Sequence, residues 1–168
     1  MFVGQNVTLG PFTEEQSGLY LKWVNQSDTA RFVTRCVPVT ALEHQRWYES
    51  SVSRSDAVFF SVTSNHTDRY LGNVWLWGIH PQHRSAELRI LIGEPGKGYG
   101  TEACRMLLDF AFNSLNLNKV YLYVLAANSA ARHIFAKVGF QEEGLLKQEF
   151  FLDGAYQDAY RMAVTRSG

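Results

Sequence analysis

Six consecutive residues, Gly96-Lys97-Gly98-Tyr99-Gly100-Thr101, have the types and spacing to do chemistry. Glycine at every second position admits positive φ and lets backbone N–H groups approach a ligand closely. A helix starting at the end of such a turn adds its own unpaired N–H groups and the positive end of its dipole. Lys97 brings a mobile positive charge. Phosphate is the guest that suits this set. The two best-known phosphate loops do not match. G-x-x-x-x-G-K-[ST] fails because Gly98 follows Lys97, and G-x-G-x-x-G fails because Thr101 stands where the last glycine belongs. Kinase-like and Rossmann readings fall, and a turn that merely joins a strand to a helix is the plain alternative.

The elements around the turn must position it. Ala86 to Ile92 is an apolar, β-prone run before it. After it, Ala103, Met106, Leu107, Phe110 and Ala111 recur at helical spacing, and Val120 to Leu125 is again β-branched and aromatic. Strand, crossover helix and strand make a βαβ unit whose right-handed connection implies a parallel pair. Upstream, Val7 to Leu9 reads as a short strand, and Thr13-Glu14-Glu15 opens a helix to about Trp23. Thr40 and Glu43 form a capping box for a second helix carrying Leu42, Trp47 and Tyr48, with a loop holding Pro38 between the two. Ala57 to Val62 and Tyr70 to Ile79 join the strand before the turn in a meander. Downstream, Ser129 to Val138 is helical and closed by Gly139. Phe140 to Phe151 and Tyr156 to Val164 flank Asp153-Gly154, a hairpin signal.

A chain of 168 residues is long enough for one domain, and a single domain over 1–168 is expected. Lys and Arg number 16, as do Asp and Glu, so no basic groove for nucleic acid and no polybasic membrane surface is indicated. Cys36 and Cys104 are in no C-x-x-C context, which argues against a disulfide framework or a zinc site. Met1 to Leu9 has no basic region followed by an apolar stretch, and no run reaches the roughly 18 apolar residues of a span. A soluble, untargeted, cytoplasmic protein is expected, as a monomer or homodimer.

The turn is followed by Leu125-Ala126-Ala127-Asn128-Ser129-Ala130-Ala131 and Phe135-Ala136-Lys137-Val138-Gly139-Phe140. Together these resemble the GNAT superfamily of N-acetyltransferases, over nearly the whole chain and best after residue 70. Pro95-Gly96-Lys97-Gly98-Tyr99-Gly100 corresponds to that family's Q/R-x-x-G-x-G/A turn, with Pro95 in place of the usual first Gln or Arg. The Asn-x-x-A helix start and the K-x-G-F ending match in full. The tail from Gly144 to Met162 is similar to the branch of ribosomal-protein N-terminal acetyltransferases and spermidine N-acetyltransferases. The resemblance implies an α/β (α+β) fold: a mixed, mostly antiparallel central sheet of about seven strands, four helices and the parallel βαβ unit at the coenzyme site. It implies acetyl-CoA as co-substrate and no metal. Carried over residue by residue, Ile90, Leu91 and Ile92 contact the pantetheine arm, Lys97, Gly98, Tyr99, Gly100 and Thr101 hold phosphate, and Asn128 and Phe135 border the arm.

Such a reaction needs a base, because an alkylamine of pKa near ~10 is protonated at neutral pH. Glu87, on the strand before the turn, is the first candidate, since resembling enzymes place a base-like Glu there; the plain alternative is a strand carboxylate paired with Arg84 or Arg89. His83 is the second. His80 and His83 flank Pro81-Gln82, and two histidines in a turn are a weak metal signal against a solvated loop. Many family members carry a Tyr on the helix after the Asn, thought to protonate the departing thiolate, and Phe135 stands there. A thiol of pKa around ~8.5 leaves reasonably well without a donor, and Tyr99, Tyr121 and Tyr123 are conceivable substitutes that packing explains as well.

The acceptor is expected near Trp23, Asn25, Trp47, Tyr48, Trp75 and Trp77, most of which also suit a core. A polyamine site should be acidic, but acidic and basic residues mix over 1–80, so a small-molecule or peptide amine is implied with its class open: peptide N-terminus, amino sugar, aminoglycoside or polyamine, the first two ahead on the resemblance of Lys22-Trp23-Val24-Asn25 to related transferases. A non-catalytic coenzyme A sensor and a structural subunit with a relic pocket are the rival readings, the former favoured by Phe135.

Overall fold

Thr13 and Thr40 each start a helix by the same device. The threonine side chain accepts the N–H three residues on, and the side-chain oxygen of the residue there, Gln16 or Glu43, accepts from the threonine's own N–H. The computed structural model describes residues 1–26, 38–93 and 97–168. Most of the loop expected between the first two helices, with Cys36, and Glu94, Pro95 and Gly96 of the glycine turn lie outside these, while Pro38 of that loop is among them. In chain order the elements are β1 (Phe2–Val3), β2 (Val7–Gly10), α1 (Glu14–Val24), α2 (Ala41–Val52), β3 (Val58–Ser64), β4 (Tyr70–His80), β5 (Ser85–Ile92), α3 (Tyr99–Asn113), β6 (Lys119–Leu125), α4 (Ser129–Val138), β7 (Gln141–Leu152) and β8 (Ala155–Thr165).

The strands form one sheet in the order β1-β2-β3-β4-β5-β6-β8-β7. Every neighbouring pair is antiparallel except β5 and β6, which are parallel and joined through α3, as the βαβ reading requires. The expected meander is β3-β4-β5. Eight strands stand where about seven were expected; the two-residue β1 is too short to announce itself by alternation. The closing hairpin turns at Asp153-Gly154, but it is the returning strand β8 that pairs with β6, leaving β7 at the edge.

Strand alternation sends successive side chains to opposite faces. Val74, Leu76, Ala86, Leu88, Val120, Leu122 and Met162 point to one face and pack with Ala103, Cys104, Leu107 and Ala111 of α3. Burying one such Leu contributes ~1.5–3 kcal/mol. Trp75 and Leu91 point to the other, where Phe12, Tyr20, Val24 and Val39 cover them. Asn6 ties the β1–β2 turn to α3, its backbone and side-chain N–H groups donating to Glu102 at 2.9 and 3.0 Å.

One glycine locks β4 to β5. Gly72 has φ +151°, and a Cβ there would lie 2.0 Å from the Leu91 carbonyl oxygen, a backbone atom that cannot swing aside. Gly72→Ala is expected to destabilise the fold by ~3 kcal/mol through strain and overpacking, lowering Tm by roughly 6–12 °C in a chain of this size. Gly78→Ala is the control, because Gly78 has φ +64° but open space around its would-be Cβ. Equal Tm losses for the two variants in thermal unfolding would remove the steric account.

Candidate active site

β5 and β6 begin paired and then part. Their parallel register runs through Ser85↔Lys119, Ala86↔Val120 and Glu87↔Tyr121. β5 stays paired to β4 as far as Ile92, and β6 to β8 as far as Leu125. Leu88 to Ile92 and Leu122 to Leu125 thus each turn one backbone edge to a cleft between them. The cleft opens into a cavity of about 1060 Å³, at the upper end of the range for small-molecule sites.

Two helices close one side of the cavity. α3 starts at Gly98, which has φ +77° and supplies no side-chain cap, whereas α1, α2 and α4 are each capped by a side chain. The N–H groups of the first turn of α3, at Tyr99, Gly100 and Thr101, have no partner within the helix. A non-glycine side chain at Gly98 would be strained, and a side chain at Gly100 would meet Ile90 at 3.5 Å. The end of the helix facing the cavity is therefore bare backbone with a positive dipole, the arrangement an anion needs. Lys97 stands exposed beside it. α4 starts at Asn128, whose side-chain oxygen accepts the Ala131 N–H at 3.1 Å. No residue of α4 is fully buried despite its apolar stripe, because Ala131, Ile134 and Phe135 line the cavity. Phe135 sits edge-on to Phe140 with ring centroids 5.9 Å apart.

The other end of the cavity lies on the Trp75 face of the sheet and is lined by Tyr20, His44, Trp47, Trp75 and Trp77. Glu87 enters from β5. Its carboxylate is 17% exposed and accepts from the Arg89 guanidinium at 3.0 Å, so the strand pairing expected for it is present and the carboxylate still reaches the cavity. Arg54 and Arg89 approach the Trp77 ring at 4.0 and 5.0 Å. Burial, and then the nearby Glu87 charge, push the Tyr121 hydroxyl above its ordinary pKa. Burial pushes the Cys104 thiol up to about 12, so it is an unreactive core thiol.

His44 joins α2 to α1. Its Nε2 lies 2.8 Å from the Ser17 carbonyl oxygen, which only accepts, so Nε2 carries the proton. The ring is buried against Tyr20 and Trp47, and this desolvation lowers its pKa below the usual value near 6.5, against the raising effect of the Ser17 bond. The unfolded chain then binds a proton that the folded chain refuses. Stability from this group is full above about pH 6.5 and falls as the pH drops toward the lower folded-state value. A urea midpoint that declines between pH 7.5 and 5.5 in the wild type, and not in His44→Phe, is expected; parallel profiles would contradict it.

The residues expected from sequence sort cleanly. Glu87, Ile90, Leu91, Ile92, Gly98, Tyr99, Gly100, Thr101, Asn128 and Phe135 meet around one cavity. His83 does not join them: it is exposed in the β4–β5 turn, stacked on His80 at 4.1 Å, with its N–H donating to the His80 ring. Among the described residues no group of three or more His, Cys, Asp or Glu could hold a metal, and no helix is long and apolar enough to cross a membrane. Of the acceptor candidates, Trp47, Trp75 and Trp77 line the cavity. Trp23 instead stacks on Tyr70, Asn25 clasps both backbone groups of Val39, and Tyr48 donates to the Phe12 carbonyl. Sequence reasoning missed Tyr20, His44 and Glu149, which also line it. Tyr20 and His44 follow from the inward faces of α1 and α2, whereas Glu149 depends on a strand irregularity with no sequence signature.

Comparison with known proteins adds three findings. The family model described as acetyltransferase (GNAT) domain matches residues 6–141, which include both strands of the cleft and both flanking helices. Spermidine N(1)-acetyltransferase of Vibrio cholerae serotype O1 is 43% identical over 108 residues, 63% of this chain and 62% of the relative, so the matched stretch spans less than two thirds of that protein. The enzyme of the same name from Escherichia coli strain K12 is 34% identical over 169 residues, covering 95% of this chain and 86% of the relative. Among solved structures, spermidine N-acetyltransferase from Vibrio cholerae in complex with CoA and spermine superposes with TM-score 0.90 at 31% identity, over 96% of both chains.

Proposed function

We propose, from the premise that this chain belongs to the GNAT acetyltransferase family and is an acetyl-CoA-dependent N-acetyltransferase, that its acceptor is an aliphatic polyamine of the spermidine type. The observation that carries this is one cavity with two unlike ends: uncapped helix N–H groups at α3, and a wall of aromatic rings with carboxylates at the other. Phosphate suits the first. An alkylammonium suits the second, through ring faces and negative charge. The spermidine acetyltransferases among the relatives point the same way.

The residues present fit the coenzyme, and their roles divide along the cleft. Lys97, Gly98, Tyr99, Gly100 and Thr101 hold the pyrophosphate. Ile90, Leu91 and Ile92 offer the pantetheine amides the backbone edge that β6 leaves unpaired. Asn128 and Phe135 border the same arm. Glu87 takes one proton from the acceptor ammonium; the freed nitrogen bonds to the acetyl carbonyl carbon as the carbon–sulfur bond breaks, and it sheds its second proton to water. A backbone N–H near Leu91 or Ile92 steadies the charge developing on the carbonyl oxygen. The sulfur departs as thiolate and is protonated by water, because Phe135 has no hydroxyl to give.

Release of free thiol from acetyl-CoA, measured against spermidine, spermine, N-terminal peptides, amino sugars and aminoglycosides, tests the proposal. The highest kcat/KM is expected on spermidine or spermine. Turnover confined to another class would reassign the acceptor.

A further inference from the structure

We infer that Glu149 is the residue that selects for a second positive charge in the acceptor, so that a diamine or polyamine is taken in preference to a monoamine of the same reach. The inference rests on the polyamine reading above and deepens it.

The β7–β8 register supplies the first observation. It passes from Leu146↔Ala159 to Phe150↔Gln157, so Lys147, Gln148 and Glu149 on β7 stand opposite Asp158 alone. Gln148 has φ +52°, the left-handed region that a strand interior does not use. Such a bulge bends its strand and re-aims a side chain, and bulges recur beside active sites. Asp158 holds this one in place. Its carboxylate accepts the Gln148 N–H at 2.8 Å and lies 3.5 Å from the Lys147 ammonium, and these bonds hold its pKa below the ordinary value. The consequence is that Glu149, with Phe150 after it, lines the cavity that Glu87 enters from β5.

Charge supplies the second. Glu87 is matched by Arg89 at 3.0 Å, so that pair adds no net charge to the cavity wall. His44 is buried with its pKa lowered and stays neutral at pH 7. Among the described residues Glu149 has no hydrogen-bond or ion-pair partner, and Lys147, its near neighbour in sequence, is committed to Asp158. Among the described residues the cavity lining therefore carries one uncompensated negative charge, on the hairpin arm β7. Glu87 and Glu149 stand on separate strands of the lining, so an acceptor with its reacting nitrogen at Glu87 would engage Glu149 through a second ammonium. An exposed carboxylate gains less from this than a buried one, which puts the expected selectivity at roughly five- to tenfold.

The test compares wild type with Glu149→Gln on spermidine, on 1,8-diaminooctane and on n-octylamine, which has the length of the diamine and one charge. For Glu149→Gln the KM of spermidine and of the diamine is expected to rise five- to tenfold with kcat nearly unchanged. The KM of n-octylamine and the Kd of coenzyme A should stay constant, and the salt dependence of kcat/KM on the diamine should flatten. Glu149→Asp, which keeps the charge, should retain the preference for the diamine. Equal losses on diamine and monoamine, or no change on either, would overturn the inference while leaving polyamine acetylation intact. A wild-type enzyme that acetylates peptides or sugars but neither spermidine nor the diamine would bring down the polyamine reading itself, and this inference with it.

Discussion

Glu87→Gln is expected to lower kcat/KM for acetyl transfer at pH 7 by about 100- to 1,000-fold, the range of a lost general base, with coenzyme A binding unchanged. The amide keeps the size of the side chain and a hydrogen-bonding oxygen for Arg89 but cannot take a proton. An alkylamine of pKa near ~10 is free base in only about one molecule in a thousand at pH 7. Without a base the variant depends on that fraction, which rises tenfold per pH unit. Its kcat/KM should therefore climb steeply between pH 7 and 9.5 and close much of the gap on the wild type. A structural role for the Glu87–Arg89 pair would not produce this convergence. The Gln variant keeps an oxygen for Arg89 and the guanidinium is partly exposed, so the change in stability is expected to be about 1 kcal/mol or less and unfolding midpoints should barely move. Activity within threefold of wild type across the whole pH range would remove Glu87 from the chemistry.

Phe135→Tyr is expected to raise kcat about tenfold. Phe135 lies on the α4 face that lines the cavity, so a hydroxyl added to its ring has room to reach the departing sulfur. A positioned general acid contributes 10²–10⁴-fold when the leaving group is poor. A thiolate of pKa around ~8.5 is a fair leaving group, which reduces the gain to the order given. The half-buried ring and its edge contact with Phe140 are kept, so the fold and coenzyme binding should not change. Phe135→Leu is the control: it removes ring packing and adds no donor, and only the Tyr variant should gain turnover and a larger solvent isotope effect. Unchanged or reduced kcat in Phe135→Tyr with normal coenzyme binding would show that thiolate departure does not limit the rate.

The end of the cavity around the glycine turn and α4 was readable because its signals are local. The glycines of the turn, the start of α4 at Asn128 and the stripe on α3 each depend on residues within about two helical turns of one another. Strand β5 could be placed next to the turn for the same reason, and with it Glu87. The acceptor half was less readable. Trp47, Trp75 and Trp77 line the cavity, whereas Trp23, Asn25 and Tyr48, chosen by the same reasoning, make structural contacts. Composition does not tell a ring that lines a cavity from one that packs beneath it.

The sequence by itself determined most of the elements, the Thr40–Glu43 capping box, the Asp153-Gly154 hairpin, the parallel crossover and the glycine turn ahead of α3, since each follows from backbone preferences and spacings of a few residues. Only the tertiary structure decided that β8 rather than β7 pairs with β6, that β5 and β6 part after Glu87 and Tyr121, that His83 stays out in solvent, and that a bulge pinned by Asp158 brings Glu149 to the cavity. The physical reason is the same in each case. Strand order, register and bulges are set by hydrogen bonds and packing between residues far apart in the chain, and shifting a register alters which face a side chain takes without altering the local sequence pattern.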